Sequence, residues 1–170
     1  MGVSLFIASS LDGYIARQSG AVDWLFTDAD YGYTEFFAGI DTVIMGRKTY
    51  QQILQFGDYP YSEKQSFVLS DTLVSQKDDN VEFIGRNSED LLERLRESSE
   101  VWLVGGGEAI AYFLKHHWID RLILSVHPII LGEGIPLILR DANLETQLEL
   151  YETKTYESGL LQISYHLVNP

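Results

Sequence analysis

The sequence has no cysteine, so disulfide bonds, thiolate nucleophiles and cysteine-ligated metal sites are all excluded. It has only four prolines and no proline- or serine-rich stretch that would mark a linker. Its apolar runs, such as residues 122–124 and 128–131, are far too short to cross a bilayer. The N-terminus lacks the basic and long apolar regions of a signal peptide, so we expect a cytoplasmic protein.

Positive charge is also scarce, because 12 lysines and arginines stand against 25 aspartates and glutamates, a net charge of −13. Such a field repels nucleic acids and anionic membranes, so we expect neither as a partner. A phosphate-bearing ligand would have to be bound by a few well-placed donors against this field. The positions of the rare basic residues are therefore informative.

Short apolar segments recur along the chain and are typical of buried strands. They cover residues 3–8, 42–45 and 101–104, and each is followed by a glycine or another turn signal. Helical patterns lie between them, and Ser88 is predicted to cap the helix that contains Leu91 and Leu95. This alternation predicts an α/β fold with a mostly parallel sheet.

The end of the chain follows a different pattern. Residues 148–156 and 160–168 alternate apolar and polar side chains, and Gly159 lies in the turn between them. This pair predicts a C-terminal antiparallel hairpin. Since no repeat or composition break interrupts the 170 residues, we expect one domain over residues 1–170.

The first motif that could bind a ligand is Gly105-Gly106-Gly107, which lies between a predicted strand and a predicted helix. Glycines there let the backbone approach a ligand closely, and a helix N-terminus offers free N–H groups to a phosphate. The motif is not the full dinucleotide fingerprint, because Ile110 stands where its third glycine belongs. A tight turn without a ligand explains the glycines equally well.

The second motif is Gly46-Arg47-Lys48-Thr49, again between a strand and a helix. Cations are disfavoured at a helix N-terminus, and an anionic ligand would remove that conflict. A solvated basic helix start is the alternative. Because the carboxyl ends of parallel strands meet at one edge of a sheet, both motifs are expected to contact one extended ligand with several phosphates, such as a dinucleotide.

Four segments in this order resemble the dihydrofolate reductase-like superfamily: residues 11–16, 43–50, 103–108 and 126–137. The branch is similar to the C-terminal pyrimidine-reductase domain of the bifunctional riboflavin-biosynthesis deaminase/reductase. The resemblance implies a three-layer sandwich, in which helices cover both faces of a mixed, mostly parallel sheet. It also implies NADPH as the cofactor and a homodimer as the assembly.

The resemblance implies a set of cofactor-binding residues. They are Ala8 beside the nicotinamide, Arg47, Lys48 and Thr49 around the 2′-phosphate and pyrophosphate, Ser70 at the 2′-phosphoribose, and Gly46, Gly105, Gly106 and Gly107 at the phosphate-facing turns. A cis Gly105–Gly106 peptide bond is implied as well. Asp71 is awkward beside a 2′-phosphate, which leaves NADH open as the alternative cofactor.

The resemblance places a catalytic acid at Asp30, with Asp28 and Asp12 as alternatives, and places Asp12 and Trp24 beside the substrate. Reduction of a C=N bond is helped by a proton donor, and a carboxyl in an apolar pocket has the raised pKa that this needs. Asp28 and Asp30 are also suited to a plain helix-capping role. Asp12 before glycine is equally suited to a plain turn.

We therefore expect an NADPH-dependent reductase that acts on a small heterocycle or a ribosylamino-pyrimidine. A dihydrofolate reductase is the first alternative, and it would need a cation for the folate glutamate, for which Lys64 is the nearby candidate. A nucleotide-binding module without catalysis is the second. No metal is expected, since no histidine pair has the spacing of metal ligands.

Overall fold

The computed structural model describes residues 2–74, 76–86, 89–141 and 143–168. In chain order its elements are β1 (Gly2–Ser10), β2 (Tyr14–Ala16), α1 (Tyr33–Ala38), β3 (Thr42–Gly46), α2 (Arg47–Leu54), β4 (Gln65–Leu69), β5 (Glu82–Ile84), α3 (Glu89–Glu97), β6 (Glu100–Gly105), α4 (Gly107–Lys115), β7 (Arg121–His127), β8 (Ile135–Pro136), β9 (Gln147–Thr155) and β10 (Leu161–Val168). Ser88, the predicted cap of α3, lies outside the described residues.

Eight of these strands form one sheet in the order β5-β4-β3-β6-β1-β7-β10-β9. The pairs among β5, β4, β3, β6, β1 and β7 are all parallel, whereas β10 is antiparallel to both of its neighbours. The predicted mostly parallel sheet and its C-terminal antiparallel hairpin are therefore confirmed.

Helices cover both faces of this sheet because side chains alternate between the faces along each buried strand. Ile44 of β3 packs in a cluster with Leu91 of α3 and Ile110 of α4. Its neighbours Val43 and Met45 belong to a second cluster, which is rich in aromatic side chains and is covered by α1 and α2. The predicted three-layer arrangement is confirmed by these two separate cores.

A second sheet of two short strands was not predicted. Tyr14 of β2 pairs with Pro136 of β8, and the backbone N–H of Leu137 donates to the carbonyl of Gly13. Segments of three and two residues are too short for a periodic pattern, so only the long-range pairing reveals them. No helix in the described part of the chain is long and apolar enough to cross a membrane.

Candidate functional site

A cleft of about 870 Å³ opens where β1, β3, β4 and β6 end, at the carboxyl edge of the parallel sheet. All the residues that the sequence predicts as cofactor-binding line it: Ala8, Gly46, Arg47, Lys48, Thr49, Ser70, Gly105, Gly106 and Gly107. Ligands of α/β sheets bind at this edge. The fold therefore brings residues from four separate stretches of the chain to one cavity.

The N-terminus of α2 faces this cleft with its backbone donors uncapped. Gly46 is the residue before the helix, and no side chain there hydrogen bonds to the first turn. Arg47 is exposed, and its guanidinium donates to Thr72 Oγ1 at 3.1 Å. It forms no ion pair with any described residue. An anion would therefore meet free N–H groups and an uncompensated positive charge here.

The glycine turn before α4 is held against α2 by one hydrogen bond. The backbone N–H of Gly106 donates to Thr49 Oγ1 at 2.8 Å. A Cβ added to Gly106 would lie 3.0 Å from that oxygen, and one added to Gly107 would lie 3.2 Å from the carbonyl oxygen of Pro136. The turn therefore leaves no room for a side chain larger than that of glycine at these two positions. The N-terminus of α4, like that of α2, has no side-chain cap.

The predicted cis bond between Gly105 and Gly106 is wrong, because the described residues contain no cis peptide bond. Gly105 instead adopts a φ of 133°, which glycine reaches without the steric cost that other residues meet. This positive φ turns the chain from β6 into α4 with a trans peptide. The glycine at position 105 is thus required by its backbone conformation.

Arg86 also lines the cleft, although no motif in the sequence predicts it there. Its backbone N–H donates to Asp71 Oδ1 at 3.0 Å, and its guanidinium Nε lies 3.3 Å from Asp71 Oδ2. Asp71, the residue expected to oppose a 2′-phosphate, therefore already has a positive partner. A lone arginine two residues after β5, in so acidic a chain, was the signal that could have identified it.

Glu108 completes the group of charges at this end of the cleft. It lies 3.2 Å from Lys48 Nζ and 3.7 Å from Arg86 Nη2. Both carboxylates that line the cleft, Asp71 and Glu108, are thus paired with cations. Of the three basic residues that line the cleft, Arg47 is the one without a carboxylate partner among the described residues, and this supports binding of an anion next to Thr72.

Asp30, the predicted acid, does not line the cleft. It is exposed, and its Oδ1 accepts hydrogen bonds from the hydroxyl of Thr34 at 2.6 Å and from the backbone N–H of Thr34 at 3.1 Å. These bonds, the hydroxyl's above all, hold the pKa of Asp30 below its ordinary value. The expected raised pKa is wrong, since Asp30 accepts bonds at the start of α1 instead of lying in an apolar pocket. Its catalytic role stays a prediction without a supporting contact.

The two alternative carboxylates also lie outside the cleft lining. Asp12 accepts hydrogen bonds from Ser10 Oγ at 2.7 Å and from the backbone N–H groups of Leu131 and Gly132 at 3.1 and 2.8 Å. These bonds, led by that of Ser10, lower the pKa of Asp12, which joins the turn after β1 to the loop after β7. Asp28 accepts a bond from the Tyr31 hydroxyl at 2.8 Å.

Trp24 is buried beside His127, with ring centroids 5.2 Å apart and the rings nearly perpendicular. His127 Nε2 accepts the backbone N–H of Phe26 at 3.2 Å, and burial lowers the pKa of His127, so its neutral form is favoured. Trp24 does not line the cleft, whereas Val22 and Leu25 on either side of it do. Its contact with a substrate stays a prediction.

Replacing Asp30 with asparagine is expected to leave turnover within about threefold of wild type, because the amide oxygen still accepts the Thr34 bonds and no contact joins Asp30 to the cleft. The measurement is the steady-state oxidation of NADPH with a pyrimidine that the wild type reduces. Asp28→Asn is the matched control. A loss of about a hundredfold at Asp30 alone, with cofactor binding retained, would restore the role of general acid that the sequence predicts.

A mostly parallel sheet with glycine-containing turns at its carboxyl edge is typical of a large class of α/β proteins, in which ligands bind at that edge. Within that class the chain belongs to the RibD C-terminal domain family, whose model matches residues 2–162. The similarity to the pyrimidine-reductase branch is thereby confirmed. In the described part of the chain, no group of three or more histidines, aspartates or glutamates could hold a metal ion.

Two proteins of Bacillus subtilis strain 168 are similar over nearly their whole length. The uncharacterized protein YwjB is 39% identical over 167 residues, which cover 95% of each chain. The uncharacterized protein YyaP is 34% identical over 178 residues, which cover 96% of this chain and 94% of YyaP. The similarity to both proteins therefore extends over nearly the whole of this chain.

Solved structures agree with this assignment. A protein of Shewanella sp. PV-4, provisionally assigned to riboflavin biosynthesis, is 32% identical, with a TM-score of 0.87 over 99% of this chain and 100% of its own. The Thermotoga maritima diaminohydroxyphosphoribosylaminopyrimidine deaminase/5-amino-6-(5-phosphoribosylamino)uracil reductase is 17% identical, with a TM-score of 0.72 over 98% of this chain and 56% of its own. At that identity the second likeness concerns the fold alone.

Proposed function

We propose that this protein is an NADPH-dependent reductase that transfers a hydride to a small heterocycle or a ribosylamino-pyrimidine. The observation that carries the proposal is a single cleft that joins two uncapped helix N-termini and an unpaired arginine at the carboxyl edge of the sheet. Membership of the RibD C-terminal domain family supports a reductase in general. A cytoplasmic location, expected from the sequence, is part of this proposal.

The residues present fit a dinucleotide with an additional phosphate. Arg47, Ser70 and Thr72 would hold the 2′-phosphate, and the glycine turn, which a Cβ would fill, would hold the pyrophosphate against Gly106. Ala8 would lie beside the nicotinamide. When bound, NADPH supplies a hydride with its electron pair to the substrate carbon and is left as NADP⁺, while the substrate nitrogen or oxygen gains a proton from water.

Arg47→Ala is expected to weaken NADPH binding by about 1–3 kcal/mol and NADH binding much less, because only NADPH carries the 2′-phosphate that the guanidinium would bind. Fluorescence titration of both cofactors measures this difference, and the NADPH margin in the wild type should shrink with added salt. Arg96→Ala removes an exposed charge on α3, away from the cleft, as the control. If Arg47→Ala lost the same affinity for NADH as for NADPH, the proposed contact of Arg47 with the 2′-phosphate would be contradicted.

The dihydrofolate reductase alternative has weaker support. Lys64 Nζ donates to the carbonyl oxygen of Ile40 at 2.7 Å and lies 4.7 Å from the ring centre of Phe37. Lys64 precedes the first residue of β4, so it lies at the sheet edge opposite the cleft. The cation that a folate glutamate needs is therefore engaged elsewhere.

A nucleotide-binding module without catalysis would behave differently in a direct assay. It would bind NADPH with the same residues and would fail to oxidise it in the presence of any pyrimidine or dihydrofolate. NADPH oxidation measured with and without these compounds separates the two functions. We expect oxidation with a pyrimidine, at a rate above the background of the cofactor alone.

We also propose that two copies of the chain associate. Strand β9 is an edge of the sheet, and its apolar side chains Leu148, Leu150 and Tyr151 are exposed together with Val168 of β10. Exposed apolar side chains on an edge strand are typical of surfaces that pair with another chain. Light scattering should give twice the mass of one chain.

A further inference from the structure

The cleft continues beyond the phosphate-facing turns to a second end, which we call the distal end. It is lined by Val22, Leu25, Ile53, Phe56 and Tyr61. Helix α2 has eight residues and is about 12 Å long, so Ile53 near its end and Phe56 just after it lie well away from Arg47 at its start. The side-chain amide of Gln52 donates to the carbonyl of Gly20, which holds residues 20–25 near the end of this helix.

The distal end contains no charged side chain. The basic residues that line the cleft are Arg47, Lys48 and Arg86, and all three belong to the phosphate-facing end. Arg17, next to the lining residue Ala16, donates two hydrogen bonds to Asp23 at 2.6 and 2.9 Å. All lysines and arginines of the sequence lie within the described residues, so no further cation is available there.

A phosphate would be poorly accommodated at this end. An anion that loses its water requires a cation or several hydrogen-bond donors in return, and the apolar side chains of Val22, Leu25 and Ile53 offer neither. The net charge of −13 adds a further repulsion. The carboxylates that line the cleft, Asp71 and Glu108, are paired with cations at the other end, so a cationic ligand has no partner at the distal end either.

Tyr61 supplies a polar group at this end, in addition to the side-chain amides of Gln51 and Gln52, which also line the cleft. Its side chain lines the cleft although the residue is only 8% exposed, and its ring packs against those of Phe37, Tyr59 and Trp102. The Tyr61 hydroxyl has no hydrogen-bond partner among the described residues. Burial raises the pKa of Tyr61, so the phenol keeps its proton and can donate. An acceptor atom on a ligand would give this hydroxyl a hydrogen-bond partner.

We infer that the distal end binds an uncharged ring compound without a phosphate, and that the Tyr61 hydroxyl donates a hydrogen bond to a carbonyl oxygen or ring nitrogen of that compound. This inference rests on the proposed function and chooses between its two substrate classes. The apolar walls bury the ring, and the Tyr61 hydroxyl orients it. Among the compounds named above, the unphosphorylated heterocycle fits and the phosphorylated ribosylamino-pyrimidine does not.

The first test uses three probes that differ in one group at a time: 5,6-diaminouracil, its 6-ribosylamino derivative, and the 5′-phosphate of that derivative. Calorimetry measures the affinity of each probe for the wild-type protein, with and without saturating NADP⁺. The phosphorylated probe is expected to bind more weakly than the other two. If it binds as tightly as they do, or more tightly, the inference is overturned.

The second test is Tyr61→Phe, which removes only the hydroxyl. We expect the affinity for 5,6-diaminouracil to fall by about fivefold or more, while the affinity for NADP⁺ is unchanged and shows that the variant is folded. Tyr59→Phe is the matched control, because Tyr59 is equally buried but does not line the cleft. Wild-type affinity for the ring in Tyr61→Phe would overturn the role of this residue.

Failure of the proposed function is distinguishable from failure of this inference. If NADP⁺ does not bind to the wild type, the proposed function fails. The three probes are then compared on the cofactor-free protein, where the same order of affinities still supports or overturns the inference about the distal end.

Discussion

Replacing Gly106 with alanine is expected to weaken the binding of NADPH and NADH to the same extent, by about a hundredfold, or about 2.7 kcal/mol. The new Cβ would lie 3.0 Å from Thr49 Oγ1, which accepts the backbone N–H of Gly106. At this distance the Thr49 hydroxyl or the turn has to give by a few tenths of an ångström, which disturbs the hydrogen bond that holds the turn where it would face the pyrophosphate. Both cofactors share the pyrophosphate, so both should lose affinity, in contrast to the selective loss at Arg47→Ala.

Titration of both cofactors into wild type, Gly106→Ala and a control variant measures this effect. Gly39→Ala is a suitable control, because its Cβ would meet Phe36 O at an ordinary 3.5 Å and Gly39 lies outside the cleft lining. Wild-type affinities in Gly106→Ala would show that the glycine turn does not contact the cofactor. A loss confined to NADPH would place the 2′-phosphate there instead of the pyrophosphate.

Gly134→Ala is expected to reduce the free energy of unfolding by about 4 kcal/mol, because a Cβ there would make the shortest contact of any glycine position in this chain. Gly134 has a φ of 157°, and a Cβ there would lie 2.4 Å from the carbonyl oxygen of Ala16. That oxygen belongs to the backbone, so it cannot rotate away as a side chain would. The pairing of β2 with β8 would have to shift.

Urea unfolding of Gly134→Ala and Gly132→Ala measures this effect against a close control. Gly132 also has a positive φ, of 79°, but a Cβ there would meet nothing within 4 Å. At Gly132 the alanine variant meets only the cost of the positive φ, so we expect its free energy of unfolding to fall by about 1 kcal/mol. If the free energy of unfolding fell by the same amount in both variants, the structure would accommodate the contact between the new Cβ at position 134 and Ala16 without cost.

The central strands and the hairpin were predictable from the sequence because burial imposes a pattern on them. The run at residues 43–45 is apolar throughout since both faces of β3 are covered by helices. Strands β2 and β8 carry no such pattern, and their pairing joins positions as far apart as Tyr14 and Pro136. Their existence depends on tertiary contacts that no local pattern encodes.

The end of the cleft that contains Arg47 and Gly106 was predictable for a similar reason. Residues that follow parallel strands meet at one sheet edge, so the positions of Arg47 and Gly106 in the chain indicate their place in the fold. The distal end was not predictable, because Tyr61 lies in a loop without a motif. The low pKa of Asp30 and the neutralisation of Asp71 depend on contacts with Thr34 and Arg86, which the sequence alone does not reveal.

The central claim is that the cleft at the carboxyl edge of the sheet binds NADPH. Fluorescence titration of NADPH and NADH into wild type, Arg47→Ala and Gly106→Ala tests it most directly. We expect saturable binding of one NADPH per wild-type chain, tighter than that of NADH, with the preference lost in Arg47→Ala and both affinities reduced in Gly106→Ala. Absence of saturable binding to the wild type, or wild-type affinities in both variants, would contradict the claim.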